Sequence, residues 1–323
     1  MKILSILSCL AVLAFQKSPA PSNTPFTVAV LQTNGALIPI ATYNGTKWMN
    51  SWPESGGRNI EKVEALAKVP PAWTSGVPLP DNWRLWLSTD TSYHLKMLGT
   101  AYVRSECGDH WSLTVDFPKQ ATGCTNCCPV PTIGIALSTD RLLMPMTETE
   151  VTGAVRATLQ SAFNQLETRE ISKISAQYGA PGGRLSYTGH PIDAAVRNSK
   201  PIVIQKAWRG DAVSSGFDSL YYIEATREYT KPADFKDSGC PGYSAFRGWI
   251  LANPAGKTAV ISQRLVTEDC DMKTAGYTTP MGLIEINGVD HAIVKTNGWE
   301  SQEFGILKIE TNAVNPLVMT NMR

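Results

Sequence analysis

The chain has 323 residues, 43% hydrophobic and 18% charged, with a formal net charge of +1. It is too apolar and too weakly charged for a disordered chain. With 29 Lys and Arg against 28 Asp and Glu, it has no basic excess with which to grip nucleic acid. The length accommodates one large domain or two ordinary ones.

The N-terminus reads as a targeting segment. Lys2 precedes an uncharged apolar run over 3–15, and Ser18, Pro19 and Ala20 follow. This pattern predicts a secretory signal peptide over 1–20, too short for a membrane span. Its removal takes Lys2 and Lys17 from the 29 cations, so the mature chain carries 27 positive and 28 negative charges. No second apolar run is long enough to cross a bilayer. The expected location is secreted or periplasmic.

The region 21–146 opens as a β-meander. Residues 26–31 are β-rich, Asn34-Gly35 is a two-residue hairpin turn, 36–43 is the return strand, and Asn44-Gly45 is a second turn. A stretch rich in Pro and Gly over 51–80 crosses irregularly, and strands resume at 83–87, 93–98 and 111–117. Thr33 to Ile40 aligns with Thr139 to Met146, each copy preceded by an apolar strand, which suggests repeated hairpins.

The region 147–200 holds a helix and a linker. Thr147 and Glu150 have the spacing of a capping box. Val151, Val155, Leu159, Phe163 and Leu166 recur at helical spacing, so the sequence predicts one long amphipathic helix over about 148–178, stopped by Gly179 and Pro181. From 201 to 323 the chain is again β, with candidate strands at 202–208, 220–229, 246–252, 259–266, 282–286, 292–295 and 304–309. The fold class is mainly β and antiparallel. The architecture is propeller-like or two packed β-domains, and the region 201–323 can also be continuous with the N-terminal one.

Six cysteines remain after signal removal: Cys107, Cys124, Cys127, Cys128, Cys240 and Cys270. An even number in an exported chain reads as disulfides. Locality favours Cys240 with Cys270 and pairing within the 107–128 group. That group also has a metal-like spacing, Cys107 and His110 followed by Cys124 and Cys127, which suits tetrahedral zinc, and Cys124-x-x-Cys127 is a redox-type spacing. The oxidising compartment favours cystines over a metal site.

Four carboxylates, Asp269, Asp271, Glu300 and Glu303, are the candidates for acid–base catalysis, and they would need to converge in one cleft. Trp48, Trp52 and Trp86 are the candidates for exposed stacking platforms, because flat indoles bind sugars. The chain lacks a nucleophile elbow, an H-E-x-x-H pair and a nucleotide loop. No cofactor is expected. The sequence therefore points to a disulfide-stabilised binding or interaction protein whose partner is a glycan, a peptide or an envelope protein. The alternatives are an extracellular carboxylate-dependent hydrolase acting on carbohydrate, and a thiol-redox or zinc site at Cys107–Cys128.

Overall fold

The computed structural model describes residues 23–53, 69–87, 91–103, 110–117, 131–180, 182–186, 188–212, 216–231, 233, 239–269, 276–298 and 302–322. The first two strands, β1 (Phe26–Gln32) and β2 (Ala36–Tyr43), form the hairpin that Asn34-Gly35 predicts. Gly35 takes φ 84°, which a side chain would resist, and the Asn34 side chain accepts the Ala36 N–H at 3.0 Å. Five more strands complete this sheet: β3 (Trp48–Met49), β4 (Asn82–Leu87), β5 (Ser92–Val103), β6 (His110–Val115) and β7 (Thr132–Leu137). Their order is β1-β7-β4-β5-β6-β2, and the β1–β2 pairing closes the ring into an antiparallel barrel with β3 attached to β2. Closure leaves these six strands without a free edge. Every residue of β1 and β2 is buried, because the barrel interior takes one side and a second sheet covers the other.

Beyond the barrel the chain builds two five-stranded antiparallel sheets. Their elements are β8 (Met144–Pro145), β9 (Thr147–Glu148), α1 (Gly153–Tyr178), β10 (Gly179–Ala180), β11 (Arg184–Leu185), α2 (Ala194–Asn198), β12 (Val203–Asp211), β13 (Ser219–Tyr229), β14 (Gly242–Ala252), β15 (Thr258–Glu268), β16 (Tyr277–Ile286), β17 (Val289–Asn297), β18 (Gln302–Ile309) and β19 (Val314–Met322). The helix-side sheet has the order β15-β14-β13-β12-β9 and the middle sheet β19-β18-β17-β16-β8, while β10 and β11 pair separately.

Alternation along the strands sets the layers. On β13, Leu220 and Tyr222 face the middle sheet, where they meet Leu283, Ala292 and Val294. Ile223 and Ala225 face the other way, onto Val155, Leu159 and Phe163 of α1. Ile284, Ile293, Phe304 and Ile306 turn from the middle sheet to the barrel core. The layers thus run helix, helix-side sheet, middle sheet, barrel. Each large apolar side chain buried from α1 contributes roughly 1.5–3 kcal/mol. Gly248 on β14 makes room for this packing: a Cβ there would lie 2.6 Å from the Phe246 ring, which stacks on Phe163 at 6.0 Å.

A polar cluster also fixes α1. The Glu167 carboxylate, wholly buried, accepts from Arg227 Nη1 at 2.5 Å and from the Tyr229 hydroxyl at 2.6 Å. Arg197 of α2 brings its Nε to 3.5 Å from the same carboxylate.

Three expectations are corrected. The propeller-like arrangement is not what these sheets form: strands close a barrel and stack face to face instead of radiating as blades. The capping box does not form, because Thr147 and Glu148 pair with Arg209 and Trp208 as a strand. The helix then starts at Gly153 behind Thr152, without a side-chain cap. The repeat does not hold either. Residues 33–40 return along β1, whereas Met144 and Pro145 leave the barrel and pair with β16.

Candidate functional site

Each sequence candidate now has a place. Trp48, Trp52 and Trp86 are all buried in the barrel core, so none offers the open face that a stacking platform needs. Trp52 donates its indole N–H to the Trp111 carbonyl at 2.9 Å, and Trp48 packs against His291 at 5.9 Å. His110 begins β6 and is buried. Asp269 follows β15 in the helix-side sheet, and Glu303 is half-buried on β18 in the middle sheet. These two belong to different layers. Asp271, Glu300, Cys107, Cys124, Cys127, Cys128 and Cys270 lie outside the described residues. Cys240 precedes β14, half-buried and engaged rather than free. Among the described residues, no three His, Cys, Asp or Glu side chains gather to hold a metal ion. None of the described helices is long and apolar enough to cross a membrane.

The structure brings together a different set. In the helix-side sheet, Lys206 of β12, Glu224 of β13 and Arg247 of β14 stand directly opposite one another. Their side chains form a charged row across the face that looks toward the middle sheet. The next row along is aromatic: Trp208, Tyr222 and Trp249 pack at 5.8 and 4.9 Å between ring centres. That row closes the dry interior between the sheets. The charged row lies where the interior opens, in a cleft of about 310 Å³ lined by Gln205, Lys206, Glu224, Thr226, Tyr243, Arg247 and Tyr277.

Glu224 is the centre of this cleft. Its Oε1 accepts the Thr278 N–H at 2.9 Å and the Tyr222 hydroxyl at 3.2 Å, and Arg247 Nε stands 3.8 Å away. Burial pushes the carboxyl above the usual carboxylate range, against the opposing pull of the Thr278 N–H, Arg247, Tyr222 and Lys206. Burial also raises the Tyr222 hydroxyl, with Glu224 adding to the effect. Gln205, in a bulge of β12, donates to Thr226 Oγ1 at 2.8 Å and adds an amide to the wall. Tyr277 stands over the row with 53% of its surface exposed. Chemically the cleft offers one carboxylate, two cations, an amide, the hydroxyls of Thr226, Tyr243 and Tyr277, and the open ring of Tyr277.

Sequence reading missed these residues, although a signal was present. In Leu220-Tyr221-Tyr222-Ile223-Glu224, the even positions carry apolar side chains toward one face, and Glu224 falls on that face. An acid in register with the buried side of a strand marks either a satisfied ion pair or a site. Lys206, two residues before Trp208, is the same signal on the neighbouring strand. No protein-family model, no curated protein and no solved structure matches this chain.

Proposed function

We propose that the protein is an exported, non-catalytic binding protein and that its ligand site is the cleft around Glu224. The observation that carries this reading is the row Lys206–Glu224–Arg247 under the exposed ring of Tyr277. An open aromatic face beside a few fixed polar groups is how a pocket takes a saccharide. With two cations to one acid, the ligand class that fits best is an acidic saccharide. Its carboxylate meets Arg247 and Lys206 and its ring lies on Tyr277. Soluble uronate oligosaccharides provide the test, titrated calorimetrically beside their neutral counterparts. Arg247→Ala is expected to weaken uronate binding about tenfold, the value of one charge-assisted contact. Equal binding of neutral and acidic sugars, or no binding of either, counts against the reading.

Export and disulfides belong to the same proposal. The β14–β15 ladder runs out to Tyr243 opposite Glu268. Cys240 and Cys270 follow within three residues of those ends in the sequence, so a bond between them would close the hairpin. Intact mass of protein exported through its own signal, before and after alkylation, tests this. Oxidised cysteines and a mature start near residue 20 are expected. Two or more free thiols, or one zinc per chain, would favour the thiol or zinc reading instead.

The hydrolase reading rests on the burial of Glu224, which favours the protonated form that a general acid uses. The second carboxylate that such hydrolysis ordinarily uses is not among the described residues lining the cleft. Release of reducing ends from an acidic polysaccharide, abolished by Glu224→Gln, would establish the enzyme. Binding without release establishes the binding protein.

A further inference from the structure

The opposite face of the same sheet carries a second cluster of charged side chains. Arg197 and Arg227 are each 1% exposed, and among the described residues a single carboxylate, Glu167, contacts them both. One acid cannot neutralise two guanidiniums, so the cluster holds a net buried positive charge. Such a charge is costly unless an anion approaches it. Each of the two arginines keeps a buried Nε–H with no hydrogen-bond partner among the described residues. Arg197 gives its Nη1 to the carbonyls of Pro191 and Ile192 and its Nη2 to Thr168. Arg227 gives its Nη1 to Glu167 and its Nη2 to Asn164.

Of the two, Arg227 is the one that lines a groove. It forms the inner end of a groove of about 360 Å³ between α1 and the chain that enters β12. Arg156 of α1 and Lys200 flank the groove, and both are exposed. The other polar groups on its walls are Gln160, Asn198 and Ser199, and no acidic residue is among the described residues that line it. Leu159, Ile202 and Ile204 supply an apolar side. Three cations that converge on one apolar-sided groove, the innermost buried with a spare donor, form a built receptor for an oxyanion.

We propose that this groove binds a small organic oxyanion, a phosphate monoester or a carboxylate, whose charged group meets Arg156, Lys200 and Arg227 and whose short apolar body lies along Leu159, Ile202 and Ile204. The site is independent of the Glu224 cleft, which lies across the sheet.

The test is calorimetry on the mature protein with inorganic phosphate, butyl phosphate and butyrate, each at one ionic strength set with chloride. Butyl phosphate is expected to bind more tightly than inorganic phosphate, since it also buries the apolar side. The surface variant Arg156→Ala/Lys200→Ala, which leaves the buried cluster intact, is expected to weaken butyl phosphate at least tenfold. Lys206→Ala/Arg247→Ala, in the other cleft, is expected to leave it unchanged. Butyl phosphate tighter than butyrate assigns a phosphate ester, and the reverse assigns a carboxylate. The proposal is overturned if no anion binds above the chloride background. Binding that survives Arg156→Ala/Lys200→Ala, or that is lost only in Lys206→Ala/Arg247→Ala, overturns it equally.

Discussion

The two faces of the helix-side sheet use the same residue types to opposite ends. Glu224 and Arg227 are three residues apart on β13 and therefore point to opposite sides. Toward the middle sheet, Glu224 is held by one backbone N–H and one hydroxyl. Its charge partner Arg247 is still 20% exposed at 3.8 Å. Toward the helix, Glu167 is clamped by Arg227 and Tyr229 in a place that water does not reach. The difference is burial of the cations. A guanidinium at the rim keeps its hydration and can exchange a protein carboxylate for a ligand. A guanidinium sealed under a helix has no such freedom, so its carboxylate is an anchor for the fold. The groove at Arg227 is the exception, because this buried guanidinium also lines an open groove.

The comparison breaks most visibly if Glu167 proves dispensable. Glu167→Gln leaves both buried guanidiniums without their counter-charge and is expected to cost about 3–5 kcal/mol in urea denaturation. A loss no larger than that of a surface change would show that the cluster is hydrated and not an anchor.

A pH effect of nearly the same size is expected on the same face. His190 is wholly buried, with its Nδ1 2.7 Å from Thr188 Oγ1 and its ring 4.8 Å from that of Tyr229. Burial, helped by the positive charges of Arg197 and Lys231, lowers its pKa to about 4, against the pull of the Tyr243 backbone. The folded protein thus keeps the ring neutral while the unfolded chain protonates it near its ordinary value of about 6.5. Stability from this residue is complete above that ordinary value. It is lost as pH falls toward about 4, by roughly 3 kcal/mol in all. His190→Gln should flatten this part of the curve. Parallel wild-type and variant curves between those values would refute the assignment.

Parts of this organisation are legible in the residues. The stripe Val155, Leu159, Phe163 and Leu166 is buried as its spacing predicts; Asn287-Gly288 forms a two-residue turn with both residues at positive φ, whereas the Asn34-Gly35 hairpin closes through three residues, 33–35, of which only Gly35 takes positive φ. What the sequence does not carry is pairing between distant strands. Whether Ile133–Leu137 joins β1 in a barrel or forms a blade depends on partners a hundred residues away, and alternation alone cannot name them. The same limit hid the sites. Lys206, Glu224 and Arg247 meet only through strand register, and Glu167 meets Arg227 only after α1 folds onto β13. The tryptophans misled for a related reason: their number suggested platforms, but a closed barrel gives Trp48, Trp52 and Trp86 interior places. The capping box at Thr147 was locally sound and lost to a strand pairing with β12.

The smallest expected effect is the sharpest test of the two-face argument. Burial raises the Glu224 carboxyl, so the folded state favours its protonated form more than the unfolded chain does. The stability it contributes is therefore present in acid, below its ordinary range, and is lost as pH rises through the raised folded value. Glutamine mimics the protonated acid and removes that loss. Glu224→Gln should match wild type in mild acid and be equal or slightly more stable at neutral pH. The change should stay within about 1 kcal/mol, the net worth of the hydrogen bonds it rearranges. Uronate binding should nonetheless rise, because Glu224 no longer competes with the ligand carboxylate for Arg247 and Lys206. Stability kept with binding changed separates Glu224 from Glu167, whose loss costs about 3–5 kcal/mol. If Glu224→Gln instead destabilises the protein as much as Glu167→Gln does, both faces are anchors and the cleft between the sheets is closed to ligand.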